Sequence, residues 1–244
     1  MKLIVLHYEI IISNKLLMIL LTKLLLVTLM LLYFSNYYLP YNELITNKDM
    51  YYVDYLFESV SFIKIMIVVS IIFIILSTKS IQNMDPLLLN ISSKKRLIIS
   101  RLSSLILLSS LLTLLMLLIF VIIGVFLTPY DMVFVNIMSL VASLLLFTAI
   151  YSMLTYIVYF TTNHVYSLGG VLVLYLIGTS MNGSLVVIEE VSWLYMVINL
   201  IHNDVILFDT YQYGFMFGYW YVLAVVIGLF IACVKIYITS DIIN

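Results

Sequence analysis

The sequence predicts an all-α, polytopic membrane protein: a single transmembrane domain over residues 1–244, with six spanning helices, an N-terminal interfacial helix and outer re-entrant half-helices. Three observations predict this class. From Met132 to Ile188 the chain runs 57 residues without an Asp, Glu, Lys or Arg. As one helix rising ~1.5 Å per residue, that stretch would reach about 85 Å, against a hydrocarbon core of roughly 30 Å. It must therefore cross twice, turning at the polar Thr161-Thr162-Asn163-His164. The chain as a whole is 65% hydrophobic and 9% charged, where a soluble domain carries about 25% charged residues. Finally, the apolar runs are continuous, unlike the alternating ~10-residue segments of a β-barrel.

Residues 1–15 predict a short interfacial elbow. Leu3, Ile4, Leu6, Ile10 and Ile11 share a helical face with Lys2, Glu9 and Ser13 mostly elsewhere, a pattern suited to the inner membrane interface. Asn14 then bends the chain into the first span. No small-residue cleavage site follows this run, so it does not read as a removed signal peptide. Apolar runs of spanning length follow at about residues 16–34, 60–77, 102–128, 132–160, 165–181 and 215–237.

Charge orients these spans. With the N-terminus in the cytoplasm, Lys2, Lys15, Lys79, Lys94, Lys95, Arg96, Arg101 and Lys235 lie inside and Lys23 near the inner interface; only Lys48 and Lys64 fall outside or in an outer half. That asymmetry is the positive-inside pattern, and it places both termini in the cytoplasm. Tyr33, Tyr37, Tyr38, Tyr41, Tyr51, Tyr52 and Tyr55, and again Tyr211, Tyr213, Tyr219, Trp220 and Tyr221, bracket the outer loops as headgroup anchors.

The only sizeable cytoplasmic loop covers residues 78–101 and holds five of the eleven cations. Asp85-Pro86 reads as a helix start, because Asp can cap free backbone N–H groups and Pro is tolerated at the first helical position. Leu87, Leu88, Leu89 and Ile91 supply apolar surface, with Asn90 among them. Ser92 or Ser93 can cap the next helix, which runs on into the third span. Lys94, Lys95 and Arg96 oppose that helix dipole by a few tenths of a kcal/mol. Anionic headgroups, worth about 1 kcal/mol per basic residue, outweigh this and anchor the inner face together with Arg101. Positive-inside anchoring alone is the plainer reading of the same cations.

The layout resembles the permease subunit of the type-2 ABC exporter family, and the passage Leu87-Leu88-Leu89-Asn90-Ile91-Ser92-Ser93-Lys94-Lys95-Arg96-Leu97-Ile98-Ile99-Ser100 carries the resemblance. It is similar to a coupling helix followed by a small-Ser-basic-basic-apolar entry into span three. Asp241-Ile242 is similar to the family's tail, although Asp241 follows Thr239-Ser240 rather than basic residues. Lys79 and Gln82 stand where the family places a Glu, and often a Gly. The resemblance implies that Asp85, Pro86, Leu87, Leu88, Leu89 and Asn90 dock on an ATP-binding-cassette ATPase subunit. It also implies a second permease copy or paralogue, membrane lipids rather than nucleic acid as other partners, and a prokaryotic plasma membrane. ATP and Mg would sit in the partner ATPase, with no cofactor bound by this chain.

Residues 182–213 predict external half-helices. The stretch 185–208 is too polar at Glu189, Glu190, Asn203 and Asp204 for a free span, yet too apolar for a solvated loop. Two short helices capping the outer end, with Trp193 and Tyr195 packed on the spans, would form an external gate. Glu189, Glu190, Trp193 and Lys64 are therefore candidates for a substrate path or gate. Lys64 could alternatively reach the outer interface, and Lys23 can snorkel to the inner headgroups.

Other chemistries find no support. His7, His164 and His202 are too scattered to face each other as haem ligands. Glu189-Glu190 resembles the glutamate pair of intramembrane prenyl-protein proteases, but Leu194 replaces the Arg expected four residues on. There is no Gly-x-Ser-x-Gly and no Walker-type phosphate loop. The lone Cys233 excludes an internal disulfide and reads as a small buried apolar residue. Gly214-Phe215-Met216-Phe217-Gly218 allows close packing of the last span, with the fifth and its Gly169, Gly170 and Gly178 as the expected partner. The expectation is thus a non-enzymatic exporter subunit moving a hydrophobic or amphipathic peptide, lipid or drug-like molecule. The alternative is a non-catalytic membrane-anchoring subunit of a respiratory or other membrane complex.

Overall fold

The computed structural model describes residues 14–33, 51–77, 93–127, 134–162, 166–185 and 216–239. Among them the chain is all-helical: α1 Asn14–Tyr33, α2 Tyr51–Ser77, α3 Lys94–Leu127, α4 Phe134–Thr162, α5 Tyr166–Leu185 and α6 Met216–Thr239. Each helix contains most of one apolar run read from the sequence. Two of them, through Lys94–Ile123 and Leu140–Thr162, are long and apolar enough to cross a membrane. The elbow up to residue 13, the segment Asp85, Pro86, Leu87, Leu88, Leu89 and Asn90, the outer residues Glu189, Glu190 and Trp193, Gly214 and Asp241-Ile242 lie outside the described residues.

Local chemistry sets several helix ends. Ser93 caps α3: its hydroxyl accepts from the Arg96 N–H at 3.4 Å and its carbonyl from the Leu97 N–H at 3.1 Å. The first of these satisfies a donor that the first turn leaves orphaned, and the second is the helix's first i→i−4 bond. At the same end of the bundle α4 stops at Thr162 and α5 begins at Tyr166, on either side of the polar residues where a turn was expected. The Thr162 hydroxyl oxygen lies 2.7 Å from the Val158 carbonyl and 2.7 Å from Ser167 Oγ. Its one proton serves one acceptor at a time, and the Ser167 contact links the end of one helix to the start of the next.

Helix α4 is the hub, packing on α2, α3, α5 and α6; α1 packs on α2 and α3. The core is largely apolar, but the outer surface is apolar as well, unlike that of a water-soluble bundle. Leu21, Leu25 and Leu29 of α1, Leu107, Leu111 and Leu118 of α3, and Ile227 and Ile231 of α6 are exposed, while Ser104, Ser109, Thr113, Ser143, Thr148, Ser152 and Thr155 are buried. Water would charge about 25 cal/mol for each Å² of that apolar surface. Lipid charges nothing, and instead favours turning hydroxyls toward neighbouring helices.

One packing expectation is corrected, and one helix extends beyond its apolar run. Helix α6 packs mainly on α4 and also on α3, rather than chiefly on α5. Its buried face carries Cys233, whose Sγ lies 3.7 Å from the Met153 carbonyl, and Tyr237, whose ring lies 5.2 Å from Phe160. These larger contacts fix it on α4, whereas Gly169 and Gly170 of α5 look onto open space. Second, α2 starts at Tyr51, nine residues before the apolar run at 60, because Asp54 and Glu58 interrupt apolarity without interrupting the helix.

Candidate functional site

The early start of α2 moves Lys64. In a helix of 27 residues from Tyr51 to Ser77 it is the central residue, with thirteen on either side. It is 4% exposed and sits among buried Val60, Ile63, Ile67, Val68 and Ile71. Its side chain thus points into the bundle and not to the outer interface. At 1.5 Å per residue its Cα is about 20 Å along the axis from either end of α2.

The surface facing it comes from α4 and α5. Lys64 Nζ lies 5.6 Å from the Phe147 ring centroid. That ring is 4.4 Å from Tyr151 in a tilted contact and 5.9 Å from Tyr175 at 75°; Tyr151 and Tyr175 meet edge-on at 5.7 Å. The three rings form a closed triangle, each at most 2% exposed. Edge-to-face pairs of this kind contribute about 0.5–1.5 kcal/mol beyond area burial. A cation within about 6 Å of a ring face gains ~0.5–2 kcal/mol more. The result is a rigid aromatic wall beside a buried ammonium, halfway along α2, α4 and α5.

Residues one step along α4 do a different job. Phe147 and Tyr151 are i and i+4 on one face; Thr148 and Ser152 are i and i+4 on the adjoining face, toward α3. Thr148 Oγ1 lies 2.9 Å from Thr113 Oγ1 and Ser152 Oγ 3.0 Å from Ser109 Oγ, all four buried. The two rungs fix an antiparallel register between α3 and α4 at the depth of the rings. Deeper along α4, Tyr156 stacks on Phe160 at 6.0 Å and 8°, and Phe160 contacts Tyr237.

Among the basic residues expected at the inner face, Lys94 is half-buried and Lys95 and Arg96 are exposed on the first turn of α3. Arg101, two turns further in, is buried at 8% exposure rather than turned to the headgroups. Lys23 does not snorkel either: its Nζ is covered and lies 4.2 Å above the Phe73 ring of α2. Both corrections have one cause. Helices that pack on each other shield a long cationic stem before it reaches the interface.

The site therefore joins Lys64, which the sequence marked, to Phe147, Tyr151, Tyr175 and the hydroxyl rungs, which it did not single out. The i, i+4 spacing of Ser109 with Thr113, and of Thr148 with Ser152, inside otherwise apolar helices was the available signal. Among the described residues no group of three or more His, Cys, Asp or Glu could hold a metal ion. No family model, curated protein or solved structure matches the chain.

Proposed function

We propose that this chain is the transmembrane subunit of an ATP-driven ABC exporter, crossing a prokaryotic plasma membrane six times with both termini in the cytoplasm. Its substrate is a hydrophobic or amphipathic molecule, and an associated ATPase chain supplies ATP and Mg. The observation that carries the reading is the start of α3. A Ser93-capped helix presents Lys95 and Arg96 at its first turn and continues unbroken to Leu127. Displacement of the segment before Ser93, where Asp85, Pro86, Leu87, Leu88, Leu89 and Asn90 stand, is then delivered to a rod and not absorbed in a hinge. The Ser109–Ser152 and Thr113–Thr148 rungs tie that rod to α4, so tilting α3 moves Phe147 and Tyr151 against Lys64. The basic first turn rests on anionic headgroups, worth about 1 kcal/mol per residue.

Replacing Leu88 with Asp tests this coupling. A carboxylate in an apolar docking groove must be desolvated without a partner, so the complex with the ATPase dissociates, or its hydrolysis uncouples from substrate, while membrane insertion persists. Unchanged assembly and unchanged substrate-stimulated hydrolysis would contradict the proposal. A second reading draws on the same hydroxyl rungs, which equally suit a static bundle: a non-catalytic membrane-anchoring subunit of a respiratory or other complex. Co-purification with redox subunits would select it.

A further inference from the structure

We propose that the α3–α4 seam has a second register, reached when α3 slides one turn toward its Ser93 end and Thr113 replaces Ser109 opposite Ser152. Hydroxyls recur at i and i+4 on both helices, Ser109 and Thr113 on α3, Thr148 and Ser152 on α4, and face each other in two rungs. The pattern therefore meets itself again when one helix shifts by four residues, about 6 Å. Packed elements switch by one-turn steps of this kind because intermediate positions leave ridges facing ridges. The slide belongs to this chain and needs no ATPase; only its use as a stroke drawn from the segment before Ser93 rests on the exporter reading.

Hydrogen bonding selects the direction. Ser109 lies 2.8 Å from its own Leu105 carbonyl and Thr148 2.6 Å from that of Leu144, so each keeps an acceptor when its cross-seam partner leaves. Ser152 makes one hydrogen bond among the described residues, the 3.0 Å contact to Ser109. Sliding toward Ser93 gives it Thr113 instead, which accepts while its own proton stays on the Ser109 carbonyl at 2.9 Å. Only the Thr113–Thr148 bond is lost. Sliding the other way would pair Ser109 with Thr148 and set Ser152 against Leu105, leaving a buried donor unmet. The rest of α3 accommodates the step. Leu108, Leu112, Met116 and Phe120 form a buried ridge at i+4 spacing, so the last three each enter a place that an apolar residue leaves. Residues 102–127 carry no charge over 26 residues, about 39 Å against a hydrocarbon core of ~30 Å, and that surplus exceeds the ~6 Å step.

Disulfide trapping in the full-length protein in lipid bilayers, with Cys233→Ser as background and membrane-permeant iodine as oxidant, tests the slide. Thr113→Cys with Thr148→Cys reports the observed register and should cross-link fastest. Thr113→Cys with Ser152→Cys reports the proposed register, and Ser109→Cys with Thr148→Cys the opposite slide. Both of these pairs are diagonal in the observed register, offset by about 6 Å on top of the lateral gap, beyond the ~7 Å between Cα atoms that a disulfide spans. The 113–152 pair should cross-link about tenfold faster than the 109–148 pair or more, as an unmet buried donor in the opposite slide requires. No 113–152 cross-link, or equal rates for the two diagonals, would overturn the proposal. Should the cysteine pairs fail to fold, spin labels at Lys95→Cys and Thr161→Cys, both exposed near the helix ends, leave the seam intact. Thr148→Val removes only the bond that the slide loses and should enrich a second label-to-label distance, whereas Ser152→Ala removes the one rung of the new register and should not. Any other pattern would overturn the proposal. Both measurements use the chain alone, so an absent ATPase would sink the exporter reading while leaving this result intact.

Discussion

The α3–α4 seam makes a quantitative prediction, because each hydroxyl has only one proton to donate. Ser109 Oγ lies 2.8 Å from the Leu105 carbonyl and 3.1 Å from that of Ile106, so its proton is held by its own helix. Ser152 makes a single hydrogen bond among the described residues, the 3.0 Å contact to Ser109, and is therefore the donor across the seam. The Thr rung differs. Thr113 and Thr148 reach their own helical carbonyls, Ser109 and Leu144, at 2.9 and 2.6 Å, so one of them must release its backbone acceptor to make the 2.9 Å bond between them. Interhelical hydrogen bonds in membranes average ~0.6 kcal/mol and reach ~1.7 kcal/mol. With Ser109 at 2% and Ser152 at 0% exposure, their coupling should lie in the upper half of that range, about 1 kcal/mol. The Thr113–Thr148 coupling should be smaller. Double-mutant cycles with Ser109→Ala and Ser152→Ala, and with Thr113→Val and Thr148→Val, read by reversible SDS unfolding in bicelles, would measure both. Additivity of the serine singles to within ~0.3 kcal/mol, or a stronger threonine than serine coupling, would refute the donor assignment and the register behind it.

Labelling and capping supply the remaining predictions. Cys233 is 2% exposed and faces Met153, so a maleimide should not label the folded protein but should label it once unfolded; rapid labelling in the native state would displace α6 from α4. In a Cys233→Ser background, a cysteine at Asn244 should be reached only from the cytoplasm and one at Asp204 only from outside, and external labelling at Asn244 would contradict the six-span topology. Ser93→Ala removes the acceptor for the Arg96 N–H; that bond is long at 3.4 Å, so the loss should sit near the low end of the ~0.5–2 kcal/mol range for N-caps. A thermal-unfolding shift equivalent to the top of that range would mean Ser93 does more than cap.

The helices were legible because apolar run length and turn polarity are local properties. Asn163 and His164 mark the α4–α5 turn, and Ser93 marks the start of α3, with no knowledge of packing. Helix extent and facing were not legible in the same way. Asp54 and Glu58 truncate the apolar window that precedes Lys64; the helix nevertheless begins at Tyr51 and makes Lys64 its midpoint. Arg101 and Lys23 looked like headgroup anchors because counting loop charge ignores the neighbouring helix that buries them. The ring triangle draws on α4 and α5, each apolar around most of its circumference, so hydrophobic periodicity could not say which side of Phe147, Tyr151 or Tyr175 lay inside. Only the hydroxyl spacing on α3 and α4 encoded that facing, through the preference of polar side chains for helix–helix contacts in lipid.

The exporter assignment is tested most directly by purifying the tagged full-length chain from its native membranes in a mild detergent and identifying what accompanies it. The account predicts an ATP-binding-cassette ATPase in stoichiometric amount, lost on Leu88→Asp. Recovery of redox subunits instead, or of the chain with no ATPase under conditions that preserve membrane complexes, would contradict it.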